Sequence, residues 1–119
     1  MTGVMDDRAH MLAHRRFMEE VEMAVRAANQ EIIGHKLPQL DRKAFFRLAV
    51  SIARLRANYL DAVMSLDWDH ADADAVARVQ ERRTTFEEAR AGFEALQHAF
   101  ERGYISFESR RKANADRHG

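Results

Sequence analysis

Residues 86–109 read FEEARAGFEALQHAFERGYISFES. Taken in sevens, each block opens on Phe-Glu: Phe86-Glu87, Phe93-Glu94, Phe100-Glu101 and Phe107-Glu108. Val79 holds the same place one block upstream. A large apolar residue at every seventh position stays on one side of an α-helix, and a strict repeat of seven implies a slight left-handed supercoil against a neighbouring helix. The companion row of this seam is Val76, Arg83, Arg90 and Gln97. One aromatic row beside one polar row is poor material for a self-sufficient two-stranded coiled coil. It suits a helix laid against the groove of a broader bundle, with the arginines at its edge. The fold class follows from this stretch: all-α, built by helix packing.

The rest of the chain agrees. In 119 residues, one proline and five glycines leave few places to break a helix. Alanine, arginine, glutamate and leucine are good helix formers. No Asn-Gly or Asp-Gly turn and little β-branched alternation argue against strands. The length fits one domain. At 46% hydrophobic and 32% charged residues with no formal net charge, the composition is that of a globular chain and not of a disordered one. Zero net charge also argues against a strongly basic nucleic-acid module. Without cysteine there is no disulfide, thiolate nucleophile or Cys-type zinc site. No apolar run approaches the ~18 residues of a membrane helix, and the start, MTGVMDDRAHMLAHRR, lacks the apolar core of a signal peptide. The compartment expected is the cytoplasm.

Three helices are expected, over about 7–33, 42–66 and 72–102. In the first, His10, His14, Phe17, Val21, Val25, Ala28 and Ile32 step by three and four, and Met11 and Met18 widen that stripe. Gly34 and Pro38 are its stop signals. Asp41 is placed to cap the second helix. There Lys43, Arg47, Ser51, Arg54, Asn58, Asp61 and Ser65 form one narrow polar stripe, and nearly everything else is apolar. A helix with so narrow a wet face is expected to be covered on most sides. Formal charge is −2 over residues 1–35, +4 over 36–66, −4 over 67–102 and +2 over 103–119. A positive second helix between two negative ones is expected to pack against both. Short loops favour antiparallel neighbours, so the architecture expected is an elongated antiparallel three-helix bundle over 1–102. A partly ordered C-terminal extension over 103–119 follows, and dimerisation is a possible completion.

Four groups of residues are candidates for function. Asp67, Asp69, Asp72 and Asp74 resemble a calcium loop, but the turn glycine is missing and Arg78 stands where the bidentate glutamate belongs. They read better as acids at a helix start. His10 and His14 lie one turn apart, the spacing of two ligands to one metal. An antiparallel hairpin would bring them near Asp69 and His70, a set able to hold zinc or another divalent transition metal. Arg56 falls off the polar stripe and calls for a carboxylate partner, Glu22 by preference. In the tail, Tyr104, Ile105 and Phe107 are too apolar to be idle. They either fold back over Leu37 and Leu40 or continue the third helix and offer Phe107 to another chain. The basic run Arg110, Arg111 and Lys112 is too short for a nucleic-acid site.

No Gly-rich phosphate loop, nucleophile elbow or Cys/His pair is present, so the sequence points to binding and away from catalysis. The function expected is a small helical interaction or assembly module, an adaptor or accessory subunit. It would bind a protein partner or itself through Phe93, Phe100, Tyr104, Ile105 and Phe107, with no cofactor. The alternative is a metal-binding bundle, conceivably an enzyme, with His10, His14, Asp69 and His70 as ligands.

Overall fold

A computed structural model describes residues 3–107, with side chains from Asp6 onward. It is all-α, as expected: α1 spans Gly3–Lys36, α2 Arg42–Ser65 and α3 Ala73–Glu101. At ~1.5 Å per residue these rods are about 51, 36 and 44 Å long.

The helix ends follow from local chemistry. α1 runs through Gly34 and stops at Lys36, where Pro38 disfavours helical geometry at the residue before it and brings no N–H. Asp41 caps α2, its Oδ1 accepting from the Ala44 amide at 2.8 Å. Asp72 does the same for α3 through Ala75, also at 2.8 Å. Of the acids near the start of α3, Asp72 therefore acts as the cap and Asp67 as a turn former. Asp67 accepts from the Asp69 amide at 3.2 Å and meets His70 Nδ1 at 2.9 Å. Trp68 Nε1 donates to the Val63 carbonyl at 2.9 Å, closing the turn back on the end of α2.

At the other end of α3 the repeat of seven is interrupted. Gly103 takes φ +76°, the left-handed conformation that a side chain disfavours. The Gly103 amide donates to the Phe100 carbonyl at 3.0 Å and the Tyr104 amide to the Ala99 carbonyl at 2.8 Å. This pair of bonds is the Schellman ending of a helix. It reverses the chain, so Ile105 is buried and Phe107 returns to the hairpin. The tail turns back instead of continuing α3 in line, and Phe107 meets Phe45 and Phe100. The extension beyond Phe107, with its basic run Arg110, Arg111 and Lys112, lies outside the described residues.

α2 and α3 form an antiparallel hairpin, and its seam is the Phe-Glu row. Phe45 of α2 stacks on Phe93 at 4.7 Å between centroids, meets Phe100 edge-on at 5.2 Å and lies 6.2 Å from Phe107. Phe100 and Phe107 are 4.6 Å apart. Further along, Tyr59 stacks on Phe86 at 6.3 Å. Ile52 and Val79 are buried on the same seam. The phenylalanines are thus the knobs of an intramolecular helix pair.

α1 stands apart from this hairpin. It touches the turn after α3, where Gln30 Nε2 donates to the Gly103 carbonyl at 2.8 Å and Arg26 lies against Gly103. Every described α1 side chain is exposed except the half-buried Asn29 and Ile33. The contact of α2 with α3 expected from alternating charge is present, whereas α2 is covered along that one side and not on most sides.

Candidate functional site

The buried core of the described chain consists of Ile52, Val79, Ala99 and Ile105. The accessible surface is 10184 Å², where a compact monomer of this mass would show about 6,600 Å². The radius of gyration is 23.3 Å, against about 13.5 Å for a compact chain of this length. Two helix faces carry recurring exposed apolar residues.

The first is the outer face of α2. Phe46, Val50, Ala53, Ala57, Leu60 and Met64 recur at steps of four and three, which confines them to one stripe. All six are exposed, Phe46 at 60% and Met64 at 84%. Two interleaved rows of seven are present: Phe46, Ala53, Leu60 and Val50, Ala57, Met64. The stripe is large at both ends and small in the middle. Lys43, Arg47 and Arg54 border it, and with Phe46, Val50 and Ser51 they line a shallow groove.

The second is the stripe of α1. Met11, Met18, Val25 and Ile32 repeat every seven residues, with His14, Val21 and Ala28 three places after the first three. Met11 is 67% exposed and Ile32 60%. These are the residues the sequence marks as an inward face, and within the chain they face no partner helix.

The residues expected to bind a partner are placed differently. Phe93, Phe100 and Phe107 belong to the aromatic cluster around Phe45. Ile105 is buried and Tyr104 half-buried in the turn behind them. They are drawn into the hairpin because Gly103 ends α3 and reverses the chain. The free apolar surface lies instead on α2 and α1, where the same three-and-four spacing reads as core in the sequence.

Arg56 and Glu22 are not brought together. Arg56 lies over the face of Phe86, 5.1 Å from the ring centroid, and Arg90 approaches the same ring at 5.9 Å. Among the described residues the close acid–base contact is Asp67–His70. Arg56 is exposed, so its charge remains hydrated and the ring takes the place of the expected carboxylate.

The expected metal ligands are also separated. His70 pairs with Asp67 in the turn before α3, and His10 and His14 are exposed on α1, which does not fold back along α2. Among the described residues no three His, Asp or Glu side chains are grouped to hold a metal ion. A cleft of about 410 Å³ does open between α2 and α3 near their connecting turn, lined by Tyr59, Val63, Trp68, Val76, Val79 and Arg83. Among the described residues no helix is long and apolar enough to cross a membrane.

No protein-family model matches the chain, and no curated protein or solved structure does.

Proposed function

We propose that the protein is a cytoplasmic helical assembly module, an adaptor or accessory subunit that acts by packing its bare helix faces against another helical surface. The observation that carries this reading is the pair of exposed, seven-spaced apolar stripes on α1 and outer α2. Monomeric proteins rarely expose contiguous apolar patches of more than a few hundred Å². Here the two stripes leave Met11 67%, Phe46 60% and Met64 84% exposed. Side chains at three-and-four spacing are the anchors by which one helix lies in the groove of others. The cytoplasmic placement rests on the sequence reading above.

The test is mass in solution together with affinity capture from cells, for the natural chain and for Leu60→Glu. The natural chain is expected to exceed one protomer in mass or to retain a stoichiometric protein partner, and the variant to lose it. A natural chain that stays monomeric and captures nothing overturns the reading.

A further inference from the structure

We propose that the occupant of the outer α2 stripe is α1 of a second copy of this chain, in a reciprocal two-fold dimer. The proposal rests on the assembly reading and names its partner. Three features of the two faces lead to it.

The stripes match in length and period. Phe46 to Met64 covers about 27 Å of α2 and Met11 to Ile32 about 32 Å of α1, at ~1.5 Å per residue. Both carry paired rows of seven, the repeat that keeps two helices in contact over such a distance.

They also match in shape. The middle of the α2 stripe is Ala53 and Ala57, a notch between Phe46 and Met64. The middle of the α1 stripe is Met18, Val21 and Val25, large enough to fill a notch of that kind. Interdigitation of large against small residues is what close packing of helices requires.

Charge chooses between pairings. α2 carries Arg42, Lys43, Arg47, Arg54 and Arg56 against Asp61. Over its stripe α1 carries Glu19, Glu20, Glu22 and Glu31 against Arg15, Arg16 and Arg26, a net charge of −1 with three of the acids gathered at the centre. Two α1 helices placed together would set acidic segments against each other, whereas α1 on α2 sets acid against base. Like-charge juxtaposition suppresses wrong partners and opposite charge fixes the right one.

The partner helix comes from another copy because of how α1 is held. Gln30 donating to the Gly103 carbonyl and Arg26 against Gly103 fasten the C-terminal third of α1 to the turn after α3. With α1 held there, its stripe and the outer stripe of its own α2 both remain exposed. Each chain then presents one donor helix and one acceptor face, and a two-fold axis satisfies both pairs at once, an isologous arrangement that closes.

The absence of cysteine makes the test direct. Val21 lies at the centre of the α1 stripe, and Ala53 and Ala57 flank the centre of the α2 stripe. The centres meet whichever way the two helices run. Full-length Val21→Cys is mixed with full-length Ala57→Cys, and in parallel with Ala53→Cys, then oxidised and resolved by mass. The expected result is a disulfide-linked pair containing one chain of each kind. Little crosslinking is expected for Val21→Cys alone, and light scattering of the natural chain should give a dimer. Crosslinking of Val21→Cys to itself would show an α1–α1 pair and overturn the proposal. An intrachain disulfide in the double variant Val21→Cys, Ala57→Cys would show closure onto the chain's own α2, and would overturn it too. A natural chain that is monomeric yet holds a foreign partner lost in Leu60→Glu would end this proposal and leave the assembly reading standing. Ala57→Glu adds a charge to a position exposed in the single chain. It is expected to give a folded, fully helical monomer, and a dimer of unchanged strength would count against the proposal.

Discussion

Gly103 carries the sharpest conformational demand in the chain. Its φ of +76° is one that an L side chain disfavours, while an added Cβ would meet nothing closer than Arg26 Nε at 3.8 Å. The cost of Gly103→Ala is therefore conformational and not steric, about 1–2 kcal/mol in urea unfolding. Gly92 sits inside α3 with nothing within 4 Å of an added Cβ, so Gly92→Ala is expected to stabilise by about 0.5–1 kcal/mol. Opposite signs at two glycines eleven residues apart in one chain would establish the Schellman ending, whereas a gain at both would remove it. Arg56 is a smaller case. Its contact with the face of Phe86 at 5.1 Å is exposed, so Arg56→Ala is expected to lower stability by no more than about 0.5–1 kcal/mol. A loss of about 3 kcal/mol or more would instead indicate the buried ion pair that the sequence suggests.

At the scale of the element, the hairpin and α1 are held by different means. The α2–α3 hairpin has its own aromatic seam, and Phe45 is the ring that four others approach. Phe45→Ala is expected to cost about 3 kcal/mol, the lower end for a phenylalanine because the ring is half-buried. The measurement is the urea midpoint at constant protein concentration. α1 gains little from tertiary contact inside one chain, and a helix in that state depends on its own propensity. Amides of residues 8–25 are therefore expected to exchange within the range of an isolated helix at protein concentrations low enough to separate protomers. Residues 46–60 should be protected at the same dilution. Equal protection of the two segments in a proven monomer would contradict the separation of α1 from the hairpin.

For the whole molecule, the governing quantity is surface. With 10184 Å² accessible and a radius of gyration of 23.3 Å, the single chain is far from compact. Its extents of 77 × 54 × 16 Å describe a flat, splayed arrangement. Stability that comes from covering such a surface is linked to concentration by mass action. The melting temperature is expected to rise by several degrees between low-micromolar and hundred-micromolar protein, and the rise should vanish in Ala57→Glu. A melting temperature independent of concentration would mean that the bare stripes contribute nothing through self-association.

By itself the sequence determined the three helices, the cap at Asp41, an acidic start to the third helix and an aromatic row made for helix packing. All of these depend on residues near one another in the chain or on a period that a single helix makes visible. The sequence left open whether the third helix stops or continues through the tail; the structure ends it at Gly103, which reverses the chain and draws Tyr104, Ile105 and Phe107 inward. Tertiary structure decided which apolar faces meet. Met11 to Ile32 and Phe46 to Met64 have the same spacing as Phe86 to Phe107, and periodicity states only that a face is apolar. Whether such a face is covered depends on where a five-residue connection and one hydrogen bond from Gln30 to Gly103 send α1. That direction is a property of the assembled chain, because it is fixed by contacts between residues 73 positions apart.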